Sequence, residues 1–164
     1  MSSEKNLVLI GMMGVGKSTV GRHLAVALKK DFFDSDREIE RNSGASISWI
    51  FDVEGEVGFR KRESEAIANI CLGENIVLAT GGGAVVREEN RRILSDFGYV
   101  VFLSGSVELI LSRTEHDKSR PLLQRSDRAE TISRLLSERT PYYLGLADLT
   151  LDVAHLGIEK TVNS

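Results

Sequence analysis

The chain has 164 residues, of which 41% are hydrophobic, and these values suit one globular domain with a substantial core. Its formal net charge of -3 disfavours a general nucleic-acid or anionic-membrane surface, because such a surface needs a basic stripe. One cysteine, Cys71, excludes an intramolecular disulfide, and residues 1–6 lack the apolar core of a signal peptide. We therefore expect a cytoplasmic protein without a nucleic-acid or membrane partner.

Residues 11–18 fit the phosphate-binding P-loop: Gly, four free positions, Gly, Lys, then Ser or Thr. An apolar run typical of a buried parallel strand precedes them, and apolar residues at helical spacing follow. Glycines let successive N–H groups converge on phosphate oxygens, Lys17 can reach the β- and γ-phosphates, and Ser18 suits Mg²⁺. The alternative is a glycine-rich turn with an exposed lysine. The pattern predicts a nucleoside triphosphate site.

A short apolar strand at Phe32 and Phe33 ends in Asp34, Ser35 and Asp36. Ligands of open α/β sheets gather at the carboxyl ends of strands, so these two carboxylates stand where chemistry can take place. The alternative is that Asp36 only caps the helix that follows, which aspartate does well. A cap explains one aspartate, but not both.

Two helices are predicted next: a short one capped by Ser46 and a longer one after Gly55. The longer helix carries an apolar stripe, and charged residues crowd its other faces. Most of these charges are expected to be solvated. Either Arg60 or Glu63 can instead point into a cleft, and composition does not decide between them.

The apolar run 76–80 predicts a buried strand that ends in Gly81, Gly82 and Gly83. Three glycines at a strand end indicate close approach of the backbone to another group, such as a ligand. The alternative is a flexible turn into the helix that starts near Arg87. The local pattern leaves both interpretations open.

The rest of the chain predicts a strand at 99–103, a helix at 106–113, a helix resuming after Asp127 and a strand at 149–153. The segment between the two helices is polar, aperiodic and rich in cations, which favours a lid that shields a phosphoryl group from water. A plain exposed loop is the alternative. The alternation of helices and five strands indicates a parallel α/β sheet.

These motifs, in this order and at similar spacing, resemble the shikimate kinase family over nearly the whole chain. The resemblance is carried by the P-loop, Asp34-Ser35-Asp36, Phe59-Arg60, Gly81-Gly82-Gly83, Arg120-Pro121-Leu122-Leu123 and Arg139-Thr140-Pro141-Tyr142-Tyr143. It implies one α/β domain over residues 1–164, with the P-loop NTPase fold of the nucleoside monophosphate kinase type. Its five-stranded parallel sheet would have the order 2-3-1-4-5 and be flanked by helices, with a substrate-binding region at about 34–62 and a lid at about 114–127.

The resemblance also implies an activity: ATP- and Mg²⁺-dependent phosphorylation of the 3-hydroxyl of shikimate, a step of aromatic amino acid (chorismate) biosynthesis. We expect the protein to be a monomer. ATP would contact Gly14, Val15, Gly16, Lys17, Ser18, Thr19, Arg113, Arg120 and Pro121. Shikimate would contact Asp36, Arg60, Gly82 and Arg139, and Mg²⁺ would be held by Ser18 and Asp34. The catalytic residues would be Asp36, Lys17 and Arg120.

Two positions depart from the family pattern. Gly58 stands where many members carry an acidic residue, and His155 lies where some members place an arginine against adenine. Gluconate kinase, with a similar P-loop and fold, is the sibling alternative. A nucleotide switch is weakly indicated by the Asp-x-x-Gly pattern at 52–55, but the sequence has no Asn-Lys-x-Asp element. An inactive kinase fold that serves as a binding module is disfavoured, because the predicted catalytic residues are intact.

Overall fold

The computed structural model describes residues 5–115 and 127–153. Within these ranges, five strands alternate with helices. The strands are β1 (Asn6–Ile10), β2 (Asp31–Asp34), β3 (Ile76–Ala79), β4 (Gly98–Ser104) and β5 (Leu149–Asp152). The helices are α1 (Lys17–Leu28), α2 (Ser35–Ser43), α3 (Ile47–Ile70), α4 (Glu88–Phe97), α5 (Val107–Thr114) and α6 (Arg128–Leu146), with a 3₁₀ turn at Ala84–Val86.

The strands form one parallel sheet in the order β2-β3-β1-β4-β5, which confirms the predicted fold. The register aligns Leu9 of β1 with Ala79 of β3, and Ala79 with Asp34 of β2. The carboxyl ends of these three strands therefore lie side by side at one edge of the sheet. The segments that leave them, the P-loop, the triple glycine and the start of α2, meet at the same edge of the sheet.

After Asn6, β1 is apolar, as is all of β3, because helices cover both faces of the sheet. The side chains of Val8, Leu9 and Ile10 are fully buried, as are those of Val77 and Leu78. This packing explains why β1 and β3 were predictable as short, uninterrupted apolar runs. In the part of the chain that the structure describes, no helix combines the length and apolarity needed to span a membrane.

The helix after β2 is capped by Asp34 and not by Asp36. Asp34 Oδ1 accepts hydrogen bonds from the N–H of Asp36 at 2.9 Å and of Arg37 at 3.4 Å. The interpretation of Asp36 as a mere helix cap is therefore wrong. Both residues are good N-caps by type, and only the backbone conformation, extended at Asp34, distinguishes them.

Helix α3 consists of two helical segments joined at Gly55, as predicted. Gly55 has φ 73° and ψ -178°, a combination that is accessible essentially to glycine alone. Across this kink, Arg62 donates hydrogen bonds of 2.9 and 2.7 Å to the two carboxylate oxygens of Glu54. A Cβ at Gly58 would lie 2.5 Å from the Glu54 Cβ. The glycine, which stands where many family members carry an acidic residue, therefore lets Glu54 approach the helix.

Some of the predicted features lie outside the described residues. These are most of the predicted lid, including Arg120 and Pro121, and His155 near the C-terminus.

Candidate active site

The P-loop connects β1 to α1 through backbone conformations that require glycine. Gly16, the N-cap of α1, has φ 103°, and Gly11 has φ 146°. A Cβ at Gly11 would also lie 2.5 Å from the carbonyl oxygen of Leu103 on the neighbouring strand. The loop can therefore pack tightly against β4 while it presents the N-terminus of α1 to a cavity, the arrangement that favours phosphate binding.

This nucleotide cavity has a volume of about 430 Å³. Its lining residues are Gly14, Gly16, Lys17, Ser18, Thr19, Asp34, Asp36, Thr80, Gly81, Gly82 and Arg113. Val15 was also predicted to contact ATP, but its side chain is buried in the core, so only its backbone is available. Arg113 Nη1 donates a 2.8 Å hydrogen bond to that backbone carbonyl, which ties α5 to the loop.

Lys17 is not the exposed lysine of a simple turn. Its side chain is 9% exposed, and Nζ donates hydrogen bonds to the carbonyls of Gly11 at 2.6 Å and Met12 at 2.7 Å. The ammonium group is thus held against the loop at the wall of the nucleotide cavity. A glycine-rich turn with a solvated lysine does not fit this geometry.

Ser18 and Asp34 are the two residues predicted to hold Mg²⁺, and the structure brings them together. Ser18 Oγ donates a 2.5 Å hydrogen bond to Asp34 Oδ2, while the other oxygen of Asp34 caps α2. Both side chains offer hard oxygen ligands on the cavity wall and therefore suit Mg²⁺. Among the described residues, no cluster of three or more His, Cys, Asp or Glu could hold a metal. The arrangement suits an ion that takes its remaining ligands from phosphates and water.

A second cavity, of about 360 Å³, lies beside the first and has a size suited to a small molecule. We call it the acceptor cavity. It brings together all four residues predicted to bind the substrate, which come from α2, α3, the triple glycine and α6: Asp36, Arg60, Gly82 and Arg139. The two cavities share part of their lining, namely Ser18, Asp34, Asp36, Gly81 and Gly82. A group held in one cavity can therefore reach a group held in the other.

The triple glycine, residues 81–83, lets four charged side chains approach the backbone. A Cβ at the first glycine would lie 2.7 Å from both Asp36 Oδ1 and Glu63 Oε2. A Cβ at the second would lie 3.3 Å from Arg139 Nη1, and one at the third 2.7 Å from Arg60 Cζ. The close approach expected from the sequence is thus made by the side chains of the acceptor cavity, and each glycine makes room for different ones.

Arg60 and Glu63 both face the acceptor cavity, so both of the alternatives that the sequence left open are correct. Arg60 Nη1 donates a 2.9 Å hydrogen bond to Glu63 Oε1, and a longer one of 3.4 Å joins Arg60 to Glu56. Their spacing of three residues on a helix was the signal, because such residues share a face. Glu63 is fully buried, and its Oε2 has no hydrogen-bond partner in the described structure. Burial raises the pKa of Glu63, although Arg60, Arg139 and Arg87 oppose the increase.

Arg139 lies on α6 and is only 4% exposed. Burial lowers the pKa of its guanidinium, but an arginine remains a cation at neutral pH. Next to it, the buried Tyr143 hydroxyl donates a 2.5 Å hydrogen bond to the carbonyl of Gly82. Sequence reasoning assigned no role to Tyr143. The available signals were its place in the motif at residues 139–143 and its position one helical turn after Arg139.

The parallel sheet with a P-loop after its central strand, and a second cavity with two arginines and an aspartate, define a small-molecule kinase of the P-loop class. Two buried or half-buried guanidiniums in the acceptor cavity favour an acidic acceptor. The shikimate kinase family model matches residues 13–164. The chain belongs to the shikimate kinase family.

Individual relatives agree with this membership. A shikimate kinase of Pseudomonas syringae pv. syringae is 52% identical over 148 residues, which cover 90% of this chain and 86% of the relative. A solved shikimate kinase from Acinetobacter baumannii, in complex with shikimate, is 45% identical with a TM-score of 0.96 and covers 99% of this chain and 90% of that one. A gluconokinase from Sinorhizobium meliloti, 18% identical with a TM-score of 0.60 over 99% of this chain and 90% of that one, shares the fold alone.

Proposed function

We propose that this chain transfers the γ-phosphoryl group of ATP to the 3-hydroxyl of shikimate, giving shikimate 3-phosphate and ADP in the chorismate route to aromatic amino acids. One observation carries the proposal: Asp36 lies on the wall shared by the two cavities, and Arg60 and Arg139 line the acceptor cavity beside it. Shikimate has a single carboxylate for the arginines and a ring hydroxyl for the aspartate. Membership of the shikimate kinase family supports the same acceptor.

In the proposed complex, the arginines orient the acceptor. A planar guanidinium can hold a carboxylate through two parallel hydrogen bonds, so Arg60 and Arg139 together fix both its position and its direction. A Cβ at Gly82 would lie 3.3 Å from Arg139 Nη1. The backbone of Gly82 is therefore next to Arg139 and is available to the same ligand. Such positioning is a large part of catalysis in phosphoryl transfer.

Asp36 acts on the attacking hydroxyl in this proposal. Its carboxylate stands at the boundary of the cavities, whereas Asp34 is occupied with Ser18 and the N-terminus of α2. Asp36 orients the hydroxyl and accepts its proton as the bond to phosphorus forms. The two aspartates thus have separate tasks.

Lys17 and the P-loop act on the nucleotide. Lys17 Nζ exchanges its two loop carbonyls for β- and γ-phosphate oxygens when ATP binds. When bound, Mg²⁺ neutralises charge on the phosphates, and Ser18 and Asp34 are the side chains that would hold it. The family resemblance implies that Arg120 would contact the phosphates and that Arg113 and Pro121 would contact the adenine.

We place the enzyme in the cytoplasm as a monomer without nucleic-acid or membrane partners. The net charge of -3 and the sequence pI near 5.7 support the absence of these two kinds of partner, because anionic polymers and surfaces attract basic proteins.

The test is an ADP-release assay with ATP and Mg²⁺ and a panel of acceptors: shikimate, gluconate, nucleoside monophosphates and none. We expect turnover that depends on shikimate, with little response to the other acceptors. Lys17→Ala, which should lose about 10²-fold or more in rate, controls for contaminating kinases. Equal turnover with shikimate and gluconate, or full turnover without an acceptor, would overturn the proposed function.

A further inference from the structure

A buried tyrosine hydroxyl lies directly behind the acceptor cavity. Tyr143 is fully buried in α6, and its ring stacks on Phe102 with centroids 4.8 Å apart. A hydroxyl in such a place must find a partner, because an unpaired buried polar group is costly. The hydroxyl bonds to the carbonyl of Gly82, 61 residues away in sequence. The contact therefore connects α6 to the triple glycine.

This hydrogen bond fixes the direction of one peptide group. The described chain has no cis peptide, and in a trans peptide the C=O and the next N–H point in opposite directions. Because the Gly82 carbonyl points inward to Tyr143, the Gly83 N–H points outward, towards the cavity that residues 81–83 line. Within the described structure, the Gly82 and Gly83 N–H groups donate no hydrogen bond to protein. A glycine peptide without this anchor would rotate easily.

The same hydroxyl lies against Arg139. The two residues are one helical turn apart on α6, and the guanidinium lies close enough to the phenol oxygen to interact with it electrostatically. Burial raises the pKa of Tyr143 to about 12, so the hydroxyl keeps its proton at neutral pH. It donates that proton to Gly82, and its oxygen remains available as an acceptor beside the Arg139 guanidinium. One hydroxyl group thus binds the Gly82 carbonyl and lies beside the Arg139 guanidinium, two groups of the acceptor cavity.

We infer that Tyr143 is a positioning residue for acceptor recognition, which sets the Arg139 guanidinium and the Gly82–Gly83 peptide in one fixed arrangement. This inference rests on the proposed function, in which both groups contact the acceptor. Tyr143 itself does not touch the acceptor, because its side chain is fully buried. It acts on binding before any chemistry occurs.

The test is Tyr143→Phe, which keeps the ring and its stacking on Phe102 but removes the hydroxyl. The KM for shikimate should rise by about 10-fold, the effect of losing one organising hydrogen bond, while the KM for ATP stays unchanged. The preference for shikimate over its methyl ester, measured as a ratio of kcat/KM, should shrink by a similar factor. This second readout isolates recognition of the carboxylate.

Two control variants lie on the same helix. Tyr142→Phe removes a hydroxyl from the preceding residue, which is 38% exposed, and should leave all constants unchanged. Ile132→Val removes one buried methyl group and should lower the melting temperature without changing the KM for shikimate.

The outcomes separate the inference from the proposed function. If the parent phosphorylates shikimate and Tyr143→Phe has parent-like constants, the inference is wrong and the proposed function stands. If Ile132→Val raises the KM for shikimate as much as Tyr143→Phe does, the effect is one of stability, and the inference is also wrong. If the parent does not use shikimate, the proposed function itself fails.

Discussion

Two aspartates, separated by one residue, occupy different chemical environments. Asp34 is held from both sides, by Ser18 Oγ on one oxygen and by two N–H groups of α2 on the other. Asp36 lies in the first turn of α2, with its carboxylate against Gly81. Because Asp34 supplies the cap, Asp36 can be changed without removing the N-cap of the helix.

We therefore predict that Asp36→Asn separates activity from stability. Asparagine keeps the shape but cannot accept the hydroxyl proton, and a general base commonly contributes about 10²- to 10⁴-fold in rate. Turnover at saturating shikimate should fall by a factor in that range, while the melting temperature and the affinity for ATP change little.

The matched control is Glu38→Gln, which removes a negative charge from the same turn of α2. It should have parent-like turnover. An Asp36→Asn variant as active as the parent would show that Asp36 is not the base and would leave the proposed reaction without one.

The sequence could identify these residues only as candidates. Aspartate is a good N-cap at either position, so the local sequence does not show which role Asp34 or Asp36 has. Glu63 is similar: among the charged residues of α3, only its tertiary environment shows that it is buried. Tyr143 gave no chemical signal, because a buried tyrosine is an ordinary core residue.

At the scale of elements, the kink in α3 determines where the acceptor cavity receives its charged residues. The segment before Gly55 begins near the cavity, which Ile47 and Phe51 line, and the segment after it carries Arg60 and Glu63. A straight helix would not present both segments to one cavity in the same way. The conformation of one glycine thus sets the relation between two walls of the site.

We predict that Gly55→Ala destabilises the protein by about 1–3 kcal/mol, because alanine at this backbone conformation is strained. The free energy of unfolding in urea would show the loss, and the KM for shikimate should rise as the two segments of α3 move apart. Gly145→Ala is the control, because Gly145 lies in α6 and a Cβ there meets nothing within 4 Å. That variant should be neutral or more stable by about 0.5–1 kcal/mol. Equal stability of both variants would show that alanine adopts the backbone conformation of the kink without strain.

The elements themselves were largely predictable. Strands buried on both faces are short apolar runs, and the predicted limits differ from the observed ones by one or two residues. The strand order was not encoded in those runs, because each of them would fit any central position of a sheet. It came from the family resemblance, and the structure confirms it.

At the scale of the whole molecule, the fold buries a carboxyl group whose pKa is raised by burial. As the pH rises above the ordinary value of 4.5, Glu63 loses its proton in the unfolded chain before it does so in the folded one. The folded state then binds more protons, so a rise in pH through this window reduces the free energy of unfolding. Folding therefore works against the ionisation of Glu63.

Glu63→Gln should remove this contribution, since glutamine does not titrate. We predict that the free energy of unfolding of the parent, relative to that of this variant, falls over the pH range above 4.5, the ordinary pKa of a glutamate. Urea unfolding across that range measures it, with Glu138→Gln as an exposed control on α6. A difference that increases with pH would mean that the guanidiniums outweigh burial.

The wall shared by the two cavities also has a consequence for inhibitor design. Since Asp36, Gly81 and Gly82 border both spaces, we expect that a short tether can join an adenine nucleotide to a small cyclic acid. Binding of one half would then present the other at an effective concentration in the millimolar range. A tethered inhibitor of this kind would compete with both substrates at once, whereas a compound confined to the nucleotide cavity would compete with ATP alone.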